Sequence, residues 1–161
     1  MKNQIKQNKN FVGMKKEVLK TILTKIISHG SATYSPLLDK DYSGTSNIAI
    51  APFPERSQTF EGQATEKIVS DYCEKNNDLF IKHFAFGAWL DKGSAKTYLD
   101  VVAPIPLEKQ PEAVVLGRNA NQIAGFNLYD FSEIPLGGTG EFNSSVIPFG
   151  ERLREASMLI G

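Results

Sequence analysis

Apolar residues recur with helical spacing near the start of the chain. Between residues 11 and 28 they follow one another at intervals of three and four, and lysines and threonines lie on the opposite face. His29 and Gly30 come next, and glycine suits the left-handed position after a helix. The pattern predicts an amphipathic helix closed by these two residues. Residues 1–10 (MKNQIKQNKN) carry almost no aliphatic side chains, and we expect them to be disordered on their own.

The middle of the chain carries strand patterns separated by a second helix. Residues 32–35 and 47–53 predict short strands. The second should end at Pro52 or lie at a sheet edge, because proline cannot donate a ladder hydrogen bond. Residues 64–80 have helical spacing and predict a helix of about four turns that ends near Asn76 and Asn77.

The clearest hairpin is FAFGAWLDKGSAKTYLDVVAPIP, residues 84–106. Its residues alternate between two faces, DKGS supplies the turn, and residues 97–103 return as the partner strand. We expect Pro104 and Pro106 to stop that strand.

A third helix should begin at Pro111 and run to about Ala124. Residues 126–131 could add a last strand. The helix has a predicted apolar stripe of Val115, Leu116, Ala120, Ile123 and Ala124.

These elements predict an α+β fold. The order is a helix followed by β-β-α-β-β-α-β, and hairpins dominate, so we expect an antiparallel sheet with helices packed on one face, preceded by an N-terminal amphipathic helix. Three segments are expected: a basic N-terminal arm with its helix (1–30), an α+β domain (31–136), and a glycine-rich exit with a C-terminal tail (137–161). A short helix at residues 152–160 should be mobile or docked on another chain.

Composition excludes few classes of protein. A single cysteine rules out an internal disulfide, and no apolar run approaches the roughly 20 residues of a membrane span. Lysines interrupt the N-terminal apolar residues, so we expect no secretory signal peptide. Charge is more informative: residues 1–30 hold seven lysines and one acid, and residues 31–161 hold eleven basic and seventeen acidic residues. This asymmetry suggests two surfaces with different partners, unless the arm folds back on its own acidic body.

The glycine cluster IPLGGTGEF (residues 134–142) is the one stretch that looks like a chemical motif. A phosphate-binding loop needs a lysine after its glycines and a helix to follow, and neither is present. We expect a flexible exit or a tight structural turn.

No catalytic signature is found. His29 and His83 lack partners at zinc-ligand spacing, and the acidic loop 39–47 does not match a calcium loop. Cys73 lies on the apolar face of a predicted helix, where a buried, inert thiol is usual. We therefore predict no catalytic residue, no metal site, no cofactor and no enzyme activity.

Binding residues are predicted on the terminal helices and on one polar cluster. The N-terminal helix could dock on a protein, lie on an anionic membrane or contact nucleic acid; protein docking is preferred because the arm lacks arginine and tryptophan. The cluster around Arg118 could read a partner or form the solvated face of a helix. The predicted partner-binding residues are Lys15, Lys16, Leu19, Lys20, Leu23, Lys25, Arg118, Gln122, Arg152 and Leu153.

Three stretches together carry a family resemblance: WLDKGSAKTYLDVV (89–102), AVVLGRNANQIA (113–124) and DFSEIPLGGTG (130–140). Across about residues 47–141 the chain resembles a small uncharacterised module encoded by tailed bacteriophages and mobile elements. The resemblance implies a phage-encoded accessory protein or an appendage of larger phage proteins. Because the core carries no chemical signature and the two terminal segments have no evident place in the domain, we expect a protein that binds other phage structural proteins or copies of itself, in the virion or the host cytoplasm. Two alternatives stay open: an inhibitor of a host defence or host enzyme, and a small enzyme using His83, Asp100 and Gln122.

Overall fold

A computed structural model describes residues 14–160 of the chain. The first helix, α1, covers Lys16–His29, and Met14 and Lys15 precede it. Gly30 closes it with φ 80°, donating its N–H to the carbonyl of Ile26 at 2.9 Å, as predicted. The expected disorder of residues 1–10 and the predicted helix start at residue 11 lie outside the described residues.

The rest of the described chain alternates strands and helices. The eight strands form an antiparallel sheet in the order β2-β1-β5-β6-β3-β7-β8, and β4 also pairs with β6. The α+β class, with an antiparallel sheet and helices, is therefore confirmed. The elements after α1 are β1 (Ser31–Ser35), β2 (Lys40–Asp41), β3 (Asn47–Ile50), β4 (Gln58–Glu61), α2 (Glu66–Lys75), α3 (Asn77–Phe80), β5 (Ala85–Asp91), β6 (Lys96–Pro106), α4 (Gln110–Asn119), β7 (Ala124–Asn127), β8 (Glu133–Pro135) and α5 (Phe149–Leu159).

The predicted end of strand β6 at Pro104 is wrong, because β6 continues to Pro106. Pro104 and Pro106 lie opposite Ala49 and Asn47 of β3. In the same register, the N–H of Leu107 donates to the carbonyl of Ser46 at 3.1 Å. Hydrogen-bonded pairs alternate along an antiparallel ladder, so both prolines occupy the positions that need no N–H.

The chain divides into two compact units, each made of two separate stretches. The first contains the described residues up to Asp41 together with Gln58–Leu99, and the second contains Tyr42–Ser57 and the described residues from Asp100 onward. The segment boundaries predicted after residues 30 and 136 stay a prediction.

In the first unit, α1 packs against β1. The helix buries Leu19, Ile22 and Ile26, the residues that its spacing placed on one face. Tyr72 of α2 adds an aromatic cluster, with its ring centroid 6.5 Å from that of Phe80 and 5.9 Å from that of Phe86. The predicted end of the second helix near Asn76 is confirmed: α2 stops at Lys75 with Asn76 as its cap, and the short helix α3 follows.

In the second unit, α4 ends earlier than predicted. The helix stops at Asn119, because Asn121 adopts the left-handed conformation with φ 54°. The N–H of Asn121 donates to Arg118 and that of Gln122 to Gly117, each at 3.0 Å, which is the hydrogen-bond pattern of a Schellman cap. The predicted apolar stripe is therefore only half right. Leu116 and Ala120 are buried, whereas Val115 and Ile123 are exposed.

The glycine cluster is a tight structural turn wrapped around this cap. The side-chain Nδ2 of Asn121 donates to Thr139 Oγ1 at 2.6 Å, and the side-chain Oδ1 of Asn121 accepts the N–H of Thr139 at 3.1 Å. The N–H groups of Gly138 and Gly140 donate to the carbonyls of Gln122 and Asn121, at 2.9 and 2.7 Å. Of the two alternatives, flexible exit and structural turn, the structure has the second.

Gly138→Ala should destabilise the protein. A Cβ atom at Gly138 would lie 2.5 Å from the carbonyl oxygens of Asn121 and Gln122, which are backbone atoms and cannot turn aside. We expect a loss of about 1–3 kcal/mol in the free energy of unfolding, measured by denaturant titration. Gly150→Ala is the control: it lies in α5 with no atom near the added Cβ, and alanine there should be neutral or stabilising. Equal losses in the two variants would contradict the packing argument.

Candidate functional site

The predicted binding residues of α1 divide into buried and exposed groups. Leu19 is buried in the first unit, and Lys25 forms an ion pair with Asp41. Leu23 is half-buried. The helix therefore uses most of its apolar face within its own unit, and its exposed binding candidates are Lys15, Lys16 and Lys20.

The predicted polar cluster after α4 is mainly used inside the second unit. Asn121 is committed to Thr139 and Glu141, and Gln122 Nε2 donates to the carbonyl of Ala120 at 3.2 Å. The backbone carbonyl of Asn119 accepts the N–H of Ile147 at 3.2 Å. Arg118 remains exposed.

Arg152, predicted to bind a partner, is buried with an exposure of 1%. Its Nε donates to Ile147 at 2.7 Å and one Nη to Pro52 at 2.8 Å, while both Nη atoms meet the Glu55 carboxylate at 2.6 and 2.5 Å. The next residue of the helix, Leu153, is half-buried. In this structure the guanidinium is therefore bound within its own chain.

Aromatic rings enclose the same guanidinium. Its central carbon lies 5.6 to 6.0 Å from the ring centroids of Phe53, Phe142 and Phe149, within cation–π range. The expectation that the C-terminal helix is mobile or docked on another chain is wrong for this structure, because a buried arginine fixes α5 to its own unit. The sequence spacing of Glu55 and Arg152 gave no sign of the pair.

Burial shifts the pKa values of several side chains, Cys73 and Asp100 among them. Burial raises the pKa of the Cys73 thiol to about 12, so the thiolate is scarce at neutral pH. Burial also raises the pKa of Asp100, and a hydrogen bond from the Ser57 hydroxyl partly opposes that rise.

An aromatic tip closes the β7–β8 hairpin: Tyr129, Asp130 and Phe131. Its two rings are among the most exposed large side chains of the described residues, at 65% for Tyr129 and 63% for Phe131. The backbone beneath them is fixed. Asn127 Oδ1 accepts the N–H groups of Tyr129 and Asp130 at 2.9 and 3.2 Å, and the Asn127 N–H donates to the carbonyl of Ser132 at 2.8 Å.

The carboxylate at the centre of the tip is held by Ser132. The hydroxyl and N–H of Ser132 donate to Asp130 Oδ1 at 2.6 and 2.9 Å, and these hydrogen bonds lower the Asp130 pKa. The base of the tip is anchored through Leu128, whose N–H donates to Asn47 and whose carbonyl accepts from Gly44, both at 2.8 Å. Two exposed rings thus flank an ionised, oriented carboxylate.

Phe131 occupies the left-handed region with φ 62°. A bulky side chain in this conformation is a true outlier, and such strain costs on the order of 1–3 kcal/mol. Strained backbone of this kind clusters at binding and active sites. Sequence reasoning assigned residues 126–131 to a strand and missed the tip; the signal was the spacing of Asn127, Asp130 and Ser132, which is typical of side chain–capped turns.

Within residues 14–160, no group of three or more histidine, cysteine or acidic residues is arranged to hold a metal ion. Over the same residues, no helix combines the length and apolar character that a membrane span requires. Comparison with protein-family models, with curated proteins and with solved structures yields no match.

Arg152→Lys should destabilise the protein by about 3 kcal/mol, because lysine cannot reproduce the bidentate contact and leaves the half-buried Glu55 carboxylate underpaired. Arg154→Lys, at an exposed position of the same helix, is the matched control and should change stability by less than about 0.5 kcal/mol. Denaturant unfolding of both variants measures this. A tolerated Arg152→Lys would show that α5 does not depend on the arginine.

Asp100→Asn should stabilise the protein at neutral pH. Because burial raises the pKa of Asp100 in the folded state, the folded chain holds that proton more tightly than the unfolded chain, and stability is lost as the pH rises through the interval between the two pKa values. Asparagine removes the ionisation and keeps an acceptor for Ser57. The gain should be present at pH 7 and vanish below the ordinary carboxyl pKa of about 3.9. Unfolding curves across pH, with exposed Glu108→Gln as the control, test this; a gain independent of pH would contradict it.

Proposed function

We propose that the protein is a non-enzymatic binding protein that docks its aromatic tip into an apolar cleft of another protein, beside a basic side chain. The observation that carries this proposal is the strained, hydrogen-bonded presentation of Tyr129 and Phe131 to solvent around Asp130. The exposed ring of Phe131 contributes little to the core, and its left-handed backbone lowers the stability of the fold. A binding role would explain why a phenylalanine occupies this position.

The chemistry of the tip fits a protein partner. Large aromatic side chains dominate binding energy at protein interfaces, where they fill desolvated pockets. The depressed pKa of Asp130 keeps its carboxylate ionised, and the partner should therefore supply a lysine or arginine beside the pocket. Because the turn is already ordered by Asn127 and Ser132, binding does not have to pay for ordering it.

The resemblance of residues 47–141 to a phage-encoded module supports the choice of partner. We propose another phage structural protein or a second copy of the chain, with the virion or the host cytoplasm as the location. The exposed lysines Lys15, Lys16 and Lys20 would serve a separate contact, nucleic acid included. Inhibition of a host protein is the alternative, and the identity of the bound protein decides between the two.

The test begins with a photo-crosslinking phenylalanine analogue at position 129 of the full chain. The protein is expressed in the cells in which it naturally occurs, so that its partners are present. We expect one protein adduct, identified by mass spectrometry, that does not form when the analogue replaces exposed Met158. A virion protein or the chain itself supports the accessory role, whereas a host enzyme supports the alternative. The same adducts from both positions, or none from position 129, would overturn docking through the tip.

Phe131→Gly then separates binding from stability. Glycine relieves the left-handed backbone, so the variant should unfold no more easily than the unmodified protein. Its affinity for the identified partner should fall about 30-fold or more, the effect of losing one hot-spot side chain of about 2 kcal/mol, measured by calorimetry. Met158→Ser is the matched exposed control. If Phe131→Gly left the affinity unchanged, or lowered only the stability of the protein, Phe131 would have a structural role and not a binding role.

A further inference from the structure

A groove in the first unit is separate from the aromatic tip. It lies between α1 and the β1–β2 segment and has a volume of about 190 Å³. Its apolar surface comes from Val18 and Ile22 of the helix and from Ala32 and Tyr34 of β1. Sites for drug-sized ligands usually measure about 300–1,000 Å³, so this groove suits a single long side chain.

The charged residues of the groove are mostly acidic. They comprise three carboxylates, from Glu17, Asp39 and Asp41, and one ammonium, from Lys25. Lys25 is already paired with Asp41. Glu17 and Asp39 are exposed and have no ion-pair partner among the described residues. The groove thus joins an apolar lining to two carboxylates that lack a counter-charge.

We propose that this groove binds a lysine side chain of a partner protein. A lysine carries a four-carbon apolar stem and a charged head, and it characteristically buries the stem while keeping the head at a polar edge. Here the stem would lie on Val18, Ile22 and Tyr34, and the ammonium would reach Glu17 and Asp39. An acidic side chain would be repelled by the same rim, and a purely apolar one would leave both carboxylates uncompensated.

The experiment uses n-butylammonium, a mimic of the lysine side chain, titrated into the full chain and followed by amide chemical shifts. We expect saturable shifts at the groove residues in the millimolar range, and weaker binding of n-butanol, which has the same stem without the charge. Added salt should weaken the binding of the ammonium, because exposed charges are screened. Equal binding of the two compounds, or shifts scattered over the surface, would overturn the proposal.

Paired variants test the carboxylates directly. The double variant Glu17→Gln, Asp39→Asn should bind the ammonium about three- to tenfold more weakly, as expected for two exposed charge contacts. The control is Glu61→Gln with Glu74→Gln, which removes the same charge from exposed positions of the same unit outside the groove. Equal weakening in the two double variants would show that the affinity for the ammonium depends only on the net charge of the protein. That result would contradict a specific lysine-binding site in the groove.

One further variant tests whether the lysine that occupies the groove comes from the protein itself. The chain has lysines at positions 2, 6 and 9. If Lys2→Gln, Lys6→Gln and Lys9→Gln together move the groove signals in the absence of any probe, the occupant is the protein's own segment and a partner's lysine is excluded. Groove signals that change on dilution would identify a second copy. Unchanged signals in both measurements, with probe binding retained, support a separate partner.

Discussion

The buried guanidinium group of Arg152 ties helix α5 to the segment that follows β3. Arg152 finds its acceptors on Ile147, Pro52 and Glu55, the last of these 97 residues away in sequence. Desolvating such a pair costs about as much as its mutual attraction contributes, so the network adds little net stability, but separating Arg152 from Glu55 would leave a buried charge without a partner. This requirement places α5 against the segment that follows β3 and holds the helix within its own unit.

Local patterns could be predicted, and long-range compensation could not. Helix α1, its glycine cap and the β5–β6 hairpin follow from residues close in sequence, where apolar spacing and turn chemistry suffice. The end of α4 depends on Asn121, whose side chain is satisfied by Thr139 and Glu141. The apolar spacing of the helix gives no information about these two partners, so the end of α4 could not be predicted from it. In the same way, Pro104 is compatible with a strand only because of the register that β6 takes against β3.

The candidate site escaped prediction for a related reason. An apolar residue in a short apolar run is normally assigned to the core, and exposure cannot be read from type alone. Phe131 follows Phe126 and Leu128 in sequence, yet β7 already ends at Asn127, and Phe131 lies in the hairpin loop with a left-handed backbone. The polar residues between them carried the better information, since Asn127 and Ser132 are the groups that hold the turn.

The two terminal helices looked suited to binding because their apolar faces had no evident cover. The structure covers both: α1 lies on β1, and α5 is held through Arg152. The proposed partner contact therefore needs side chains that are exposed and that do not pack inside either unit. The aromatic tip meets that condition, since its rings add little to the core while its backbone bears strain. The left-handed conformation of Phe131 belongs to the loop of the β7–β8 hairpin, but a phenylalanine there adds strain that glycine would avoid. That cost is the reason the proposed contact is placed on this hairpin and not on the terminal helices.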